Sequence, residues 1–502
     1  MKTSTVSAAA IGTKFTNGHF EDSRNNLRNF LLFLTLLFGL RGLAGAQHWT
    51  PVTMPFPGEA STPMLRTDGN VMVLDKVTGW WWFLAPDENG NYANGFWFLS
   101  GPSISGYDPL YFASAILPDD RMIVEGGEYN FGAKDDTTLG AIFDEKTNSW
   151  TQVHHPNGWS KIGDAPSVVL PNGTFMMGDC CSKDQALLDA KTLTWTSTGA
   201  GKLDSNTEEG WTLLPNGKVL TIDLNNGTAS ELYDPKTGKW SAGADLPYYI
   251  GNNCGHTIEP ELGPAVLRPN GTVFATGGNG KTAIYNSSTG KWSAGPSFPK
   301  GIGVMDGPGA ILPNGHVLVE AANINTCFGK PAQFFEFDGT NLVLAPNPPG
   351  ASGDTSYSGR MLVLPHDGHI LWTDGSSDVE VYVPAGSPKS SWLPTITSYP
   401  TSITPGKAYT VKGTQLNGLS QGAAYGDDAQ MATNFPLVRI TNVITGHVFY
   451  ARTRNFSTMG VATGNAIESA TFIPASGTEP GICLLQVVAN GLASDPVTIA
   501  VQ

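Results

Sequence analysis

Charge is scarce in this chain. Asp, Glu, Lys and Arg make up only 14% of its 502 residues, too little to coat the outer faces of a helical protein. The scarcity is lopsided, with 29 Lys and Arg against 43 Asp and Glu and a formal net charge of −14 at pH 7. Such a surface repels phosphate backbones and anionic lipid, which argues against a nucleic-acid partner. Cysteine is equally sparse: Cys180, Cys181, Cys254, Cys327 and Cys483 are the whole set. They cannot staple a chain this long, and an odd number leaves at least one thiol free or paired outside the chain. Long apolar runs are absent but for one near the amino end, Phe30 to Phe38. Arg24 and Arg28 precede it, Arg41 interrupts its tail, and Ala44-Gly45-Ala46 follows. The run is short for a bilayer span, and its flanks are those of a secretory signal. The expectation is a signal segment at residues 1–46, a mature chain from about Gln47 with no transmembrane domain, and a secreted or cell-surface location. The long stretch before the run leaves an uncleaved signal anchor as the alternative.

What the chain has in abundance is turn and strand formers: Gly 60, Pro 35, Trp 13, Tyr 14 and Phe 23. Together they point to many short strands. One phrase recurs, a few apolar residues, a Pro-Asn-Gly or Asp-Gly turn, then alternating apolar residues. It reads Leu65-Arg66-Thr67-Asp68-Gly69, Leu117-Pro118-Asp119-Asp120, Leu170-Pro171-Asn172-Gly173 and Leu214-Pro215-Asn216-Gly217. It continues as Arg268-Pro269-Asn270-Gly271, Leu312-Pro313-Asn314-Gly315 and Leu364-Pro365-His366-Asp367-Gly368. Its turns fall at positions 69, 120, 173, 217, 271, 315 and 368, a period that marks a repeat protein. Each copy is a hairpin, because Asn-Gly and Asp-Gly accept the positive φ of tight turns.

A second phrase follows each hairpin, clearest in Tyr233-Asp234-Pro235-Lys236-Thr237-Gly238-Lys239-Trp240 and repeated at Phe143 to Trp150 and Tyr285 to Trp292. It reads as a third strand, a polar turn and a fourth strand. The expectation is an all-β chain with a seven-bladed kelch-like β-propeller over residues 47–393. The first blade is divergent, with Trp80-Trp81-Trp82 in its third strand; these rings fit blade packing and an exposed sugar platform equally well. Trp49-Thr50-Pro51-Val52 resembles an outermost strand closing the ring beside the last blade, around Tyr382 and Trp392. After Pro394 the composition changes, and short alternating strands over 394–502 suggest an immunoglobulin-like β-sandwich.

In a propeller, the loops entering the innermost strands and those leaving the second strands meet around a channel mouth. The first set carries Asp108, Asp164, Glu208, Glu209, Glu259, Glu261, Asp306, and Asp354 with Tyr357. The second carries Asp75, Glu125, Glu128, Asp179, Asp223, Glu320 and Asp374. Convergence would make an acidic pocket for a cation such as calcium, a basic group or sugar hydroxyls. The plainer reading is that each acid satisfies backbone N–H groups in its own loop. Cys180-Cys181 follows Asp179 on such a loop. The pair is open to a vicinal disulfide, to two thiols, or to separate pairing with Cys254 and Cys327. A soft-metal site with the imidazole of Cys254-Gly255-His256 lacks any standard spacing.

The hairpins, the Tyr-Asp-Pro-Lys-Thr-Gly-Lys-Trp phrase and the tail together resemble the kelch-type galactose oxidase and glyoxal oxidase superfamily. In the tail the resemblance is carried by Pro436-Leu437-Val438-Arg439, by Ala451 to Met459, and by Pro480 to Val487. It implies one copper held by two Tyr and two His, one Tyr being cross-linked to a Cys. Tyr357 falls at the place of the axial Tyr, but Ser358 and Arg454 stand where the resemblance asks for His. Tyr107 and Tyr111 belong to no Tyr–Cys arrangement. The expectation is therefore an exported carbohydrate-binding or cell-surface propeller without radical-copper chemistry, partnered by a glycan, a small polyol or a surface protein. No cofactor is expected, copper is an outside alternative, and calcium is compatible with the acids. The alternatives are a variant oxidoreductase acting on sugar, alcohol or aldehyde groups, and a protein-interaction scaffold. Arg454 is expected to reach the mouth and pair with its carboxylates.

Overall fold

The computed structural model describes residues 46–427 and 431–502; the expected signal segment therefore lies, but for Ala46, outside the described residues. The hairpin phrase produces the elements predicted for it. Blade 1 is built from Ala60–Leu65, Val71–Asp75, Trp80–Ala85 and Phe96–Pro102. Blade 2 comprises Ala113–Ile116, Met122–Glu125, Gly140–Asp144 and Ser149–Val153. Blades 3, 4 and 5 begin with inner strands Ser167–Val169, Thr212–Leu213 and Leu262–Leu267. Blade 6 runs from Gly309–Ile311 to Leu342–Leu344, and blade 7 from Arg360–Val363 to Glu380–Val383. Inner strands of blades 2 and 3, 4 and 5, 5 and 6, 6 and 7, and 7 and 1 pack against one another. Small side chains on the inner strands, such as Ala113-Ser114-Ala115 and Gly309-Ala310, permit that crowding.

The second phrase works as a cross-strand aromatic pair. Phe143 faces Trp150, Tyr233 faces Trp240 and Tyr285 faces Trp292 across adjacent strands, with ring centroids 5.2, 5.4 and 5.1 Å apart. Such pairs hold the outer half of each sheet. In the divergent blade 1, strand alternation decides the fate of the tryptophans: Trp81 is fully buried against Phe112 and Trp150, while Trp80 is exposed.

The ring closes with strand His48–Pro51, which supplies the fourth strand of blade 7 and places Trp49 opposite Tyr382. Trp49 packs on Phe334, Trp372 and Tyr382 at 5.0, 6.0 and 4.9 Å, and its Nε1 donates to the Pro346 carbonyl at 2.7 Å. Trp392, by contrast, lies over Gly315 at the blade 6 hairpin. The closing strand is itself the outer edge of the blade, only four residues long, and a propeller leaves only short edges of this kind.

The tail folds as a curled, mostly antiparallel sheet, a β-sandwich whose two halves share strand Val448–Arg454. It covers the hairpin end of the propeller: Thr453 N donates to Thr67 O, Phe456 N to Pro118 O and Met459 N to Pro171 O. One segment leaves the sandwich and enters the channel. Ala423 and Ala424 pair with Ala310 and Gly309 as an extra strand on the inner edge of blade 6. Gln421 Oε1 accepts from Leu213 N of blade 4 at 2.7 Å.

The closing strand should carry a large share of the stability. Trp49→Ala is expected to cost about 3 kcal/mol by loss of its ring contacts, read as a lower guanidinium midpoint. Ile444→Ala, at a side chain 87% exposed, should change stability by less than about 0.5 kcal/mol.

Candidate functional site at the channel mouth

Six loops, each leading into the inner strand of a successive blade, deliver side chains to one cavity of about 680 Å³. Tyr111 comes from the loop before blade 2, Asp164 before blade 3 and Glu208 before blade 4. Glu259 and Glu261 come from the loop before blade 5, Asp306 before blade 6 and Tyr357 before blade 7. Glu128, Tyr129 and Lys134 reach the cavity from the long loop of blade 2, where short strands Tyr129–Asn130 and Ala133–Lys134 stiffen it. Lys134 is spoken for by Glu128 at 3.1 Å. Phe328 stands edge-on to Tyr357 with centroids 5.4 Å apart, and Tyr111 lies 6.0 Å from Tyr129.

The backbone at the mouth is held in a conformation that side chains rarely adopt. Tyr111, Glu208, Asp306 and Phe328 have φ of 53, 57, 45 and 50°. None is glycine, and residues kept in this region cost of order 1 kcal/mol each and gather at functional sites. Two disulfides brace these loops. Cys254–Cys327 ties the loop entering blade 5 to the loop after the second strand of blade 6, just before Phe328. Cys180–Cys181 is a vicinal disulfide whose Cys180 N donates to Ile162 O at 3.0 Å. A Cβ on Gly163 would stand 2.7 Å from Cys180 Sγ, so this pair backs directly onto the turn that presents Asp164. Cys483 is a buried free thiol in the sandwich.

Like charge and burial act together on the central acids. Burial pushes the Glu208 carboxyl well above the ordinary carboxylate range, with Glu261, Asp306 and Asp164 adding to the shift. Glu261 is pushed up to about 11, by burial first and then by Asp306. A hydrogen bond links the two glutamates, so their titrations are tied together.

Three of the expected pocket residues lie elsewhere. Glu209 points the opposite way from its neighbour Glu208, into blade 4, where it meets Lys202 Nζ at 2.8 Å. Lys202 also meets Glu231 at 2.8 Å and Asp223 at 3.4 Å, all with side chains 1% exposed or less. Asp354 sits beside Asp374 and is raised to about 6, by burial first; it does not line the cavity. Arg454 is at the other end of the propeller. It ends the sandwich strand that faces the blade 2 hairpin, where Asp120 senses its charge and pairs with Arg452 at 3.3 Å. The tail reaches the mouth through the channel segment instead, and the residue it delivers is Asp427.

Asp427 was missed because it lies in a stretch without strand patterning. The available signal was the small-residue run Gly422-Ala423-Ala424 and Gly426 flanking an acidic pair. These small residues fit a narrow passage: a Cβ on Gly426 would stand 2.4 Å from Asp306 Oδ1, and one on Gly210 would strike Gly426 O at 2.3 Å. Three of the seven acids of the second set follow the plainer reading: Asp75 accepts from Val77 N, Asp179 from Cys181 N and Asp374 from Ser376 N. Glu320 instead accepts from Trp372 Nε1 at 2.8 Å.

The donor set does not fit the copper chemistry that the resemblance implies. The cavity is lined by carboxylates and the phenols of Tyr111, Tyr129 and Tyr357, and by no histidine or cysteine among the described residues. Ser358 turns back to cap Thr355, its Oγ 3.1 Å from Thr355 Oγ1. Hard oxygen ligands suit hard cations, whereas copper sites draw on imidazole and thiolate.

No protein-family model and no curated protein matches the chain. Among solved structures it is similar to a fungal alcohol oxidase of the AA5 family in complex with copper. The two are 15% identical, and the match covers 91% of this chain and 100% of that one at a TM-score of 0.50. It also matches a catalytically inactive virginiamycin B lyase from Staphylococcus aureus with quinupristin, at 9% identity and a TM-score of 0.48, over 67% of this chain and 99% of that one. A third match is the extracellular domain of a one-component system from B. thetaiotaomicron, at 10% identity and a TM-score of 0.45, over 92% and 58%. The last two are too distant to bear on the argument. The first is a likeness of fold, consistent with a galactose oxidase-like architecture.

The Lys202 cluster yields a pH-dependent prediction. Lys202→Met strands three buried carboxylates and should cost about 3–5 kcal/mol at pH 7.5. Asp223 is raised to about 7, by burial first; an acid raised in the folded state binds its proton there before it does in the unfolded chain, so lowering the pH favours folding. The deficit of the variant relative to the parent should therefore shrink as pH falls from 7.5 to 5.5, measured by urea unfolding at each pH.

Proposed function

We propose that this chain is an exported galactose oxidase-like propeller that binds a polyhydroxylated ligand, a glycan or small polyol, at its channel mouth without radical-copper chemistry. The observation that carries the reading is the make-up of the cavity, in which converging carboxylates stand beside two aromatic pairs. Carboxylates accept hydrogen bonds from sugar hydroxyls, and an aromatic face takes the apolar face of a sugar ring. A cavity of about 680 Å³ suits a small ligand better than the flat surface of a protein partner. The rigid, disulfide-braced rim supports preorganised recognition.

Export is part of the same proposal. It draws on the signal-like amino end and on two disulfides, which persist in oxidising compartments. Among the described residues, no helix is long and apolar enough to cross a membrane.

The test joins a glycan-binding titration to metal analysis and a peroxide-release assay over sugars, alcohols and aldehydes. Saturable oligosaccharide binding is expected, with no substrate-dependent peroxide. Tyr129→Ala and Glu259→Gln should each weaken binding about tenfold or more, equivalent to roughly 1.4 kcal/mol, without changing the melting temperature. Copper near one equivalent with substrate-dependent peroxide, or no binding across a broad glycan and polyol panel, would overturn the reading.

A further inference from the structure

The carboxylates of the mouth do more than make it negative, because two overlapping triads have the spacing of a cation shell. One oxygen each from Glu208, Glu261 and Asp306 lies within 4.8 Å of the others, and the same holds for Asp164, Glu208 and Asp427. Calcium lies about 2.3–2.6 Å from each of its oxygens, so ligands on opposite sides of one ion stand roughly 4.6–5.2 Å apart. Both triads fit inside that limit.

A separate observation points to a missing ligand. Glu261 is only 6% exposed, yet its Oε2 has no hydrogen-bond partner. A buried carboxylate oxygen in that condition lowers stability unless something outside the chain compensates it. The backbone keeps the group in place rather than letting repulsion disperse it. Glu208 and Asp306 are fixed in left-handed conformations, and Gly426 lets the channel segment pass against Asp306.

We propose that the channel mouth is a binding site for a hard divalent cation of the calcium class, with Glu208 as the shared ligand, Glu261 and Asp306 on one side and Asp164 and Asp427 on the other. Calcium fits better than magnesium because it accepts many carboxylate oxygens in irregular geometry, whereas magnesium demands near-octahedral order and keeps its waters. The site occupies the same cavity as the glycan reading but does not depend on it. An ion there would neutralise the central acids and offer open coordination positions to the hydroxyls of a ligand.

The experiment uses the purified protein after chelator treatment, titrated with calcium chloride by calorimetry and melted with calcium or with EDTA. Saturable calcium binding is expected, with a melting temperature raised by several degrees, because a ligand held only by the folded state stabilises it. Glu208→Gln and Glu261→Gln should fold, lose the calcium-dependent rise and bind calcium at least tenfold more weakly. Asp354→Asn, outside the cavity, should keep both responses, which separates the site from general acidity. In EDTA, Glu261→Gln should melt at or above the parent, since a neutral amide of the same shape replaces a carboxyl that must hold a proton there. The proposal fails if the parent shows neither calcium heat nor a thermal shift, or if Glu208→Gln responds as the parent does. Glycan titration in EDTA and in calcium reports on the other reading separately, so either can fail while the other stands.

Discussion

The channel of this propeller is filled by its own tail, and much of the molecule follows from that insertion. The pairing of Ala423 and Ala424 with Ala310 and Gly309 gives the inner edge of blade 6 a partner that an ordinary propeller leaves to solvent. It also anchors the sandwich to the ring from the inside, beyond the contacts made by Thr453, Phe456 and Met459 across the hairpins. A strand can pass there because Gly422, Ala423, Ala424 and Gly426 are small and the facing chain includes Gly210 and Gly309. The same passage carries Asp427 to the far end, so a residue from the tail completes a site otherwise built by blade loops. Propeller and sandwich therefore share the lining of one cavity as well as their mechanical contacts.

Two groups of buried acids in this protein show opposite physics. In blade 4, Glu209, Glu231 and Asp223 surround Lys202, and the ammonium group offsets the cost of removing each carboxylate from water. Asp75, Asp179 and Glu320 find neutral donors. At the mouth, Glu208 and Glu261 instead face further carboxylates, which together with burial hold their protons on. Groups of the first kind stabilise the blade. Those of the second kind set charge against charge where the chain could have used apolar residues, and that arrangement makes physical sense chiefly if a ligand supplies the missing positive charge or the missing donors.

The architecture was readable because a repeat states the same physics many times. Each hairpin needs its Asn-Gly or Asp-Gly, and each outer strand pair needs its aromatic residues, so one obscure copy in blade 1 is rescued by its neighbours. Even the closing strand around Trp49 could be read from its likeness to an outermost strand. The site was legible only in part. Glu208, Glu259, Glu261, Asp306 and Tyr357 could be collected from their shared position before inner strands. Nothing in the sequence says that Glu208 turns to the mouth and Glu209 into the blade, because the loop leaves strand alternation and Glu208 takes a left-handed φ of 57°. Arg454 was misplaced because the family pattern was carried along the chain to a sandwich strand, whereas the segment entering the channel is an irregular one whose only mark is the absence of bulk.

The likeness to a copper-bound fungal alcohol oxidase over 91% of the chain, at 15% identity, is one of fold. The convergence of loop residues and the tail at one point is read from this chain's own cavity. What happens there depends on the side chains delivered. Imidazole and phenolate would make a soft, redox-capable site. Here the mouth gathers Asp164, Glu208, Glu261, Asp306 and Asp427, oxygen donors with no redox chemistry of their own. The left-handed residues and the disulfides at Cys180–Cys181 and Cys254–Cys327 keep those donors from relaxing apart. A scaffold that gathers buried acids in this way gives up stability, and a cation or hydroxyl donor bound at the mouth is the compensation proposed above.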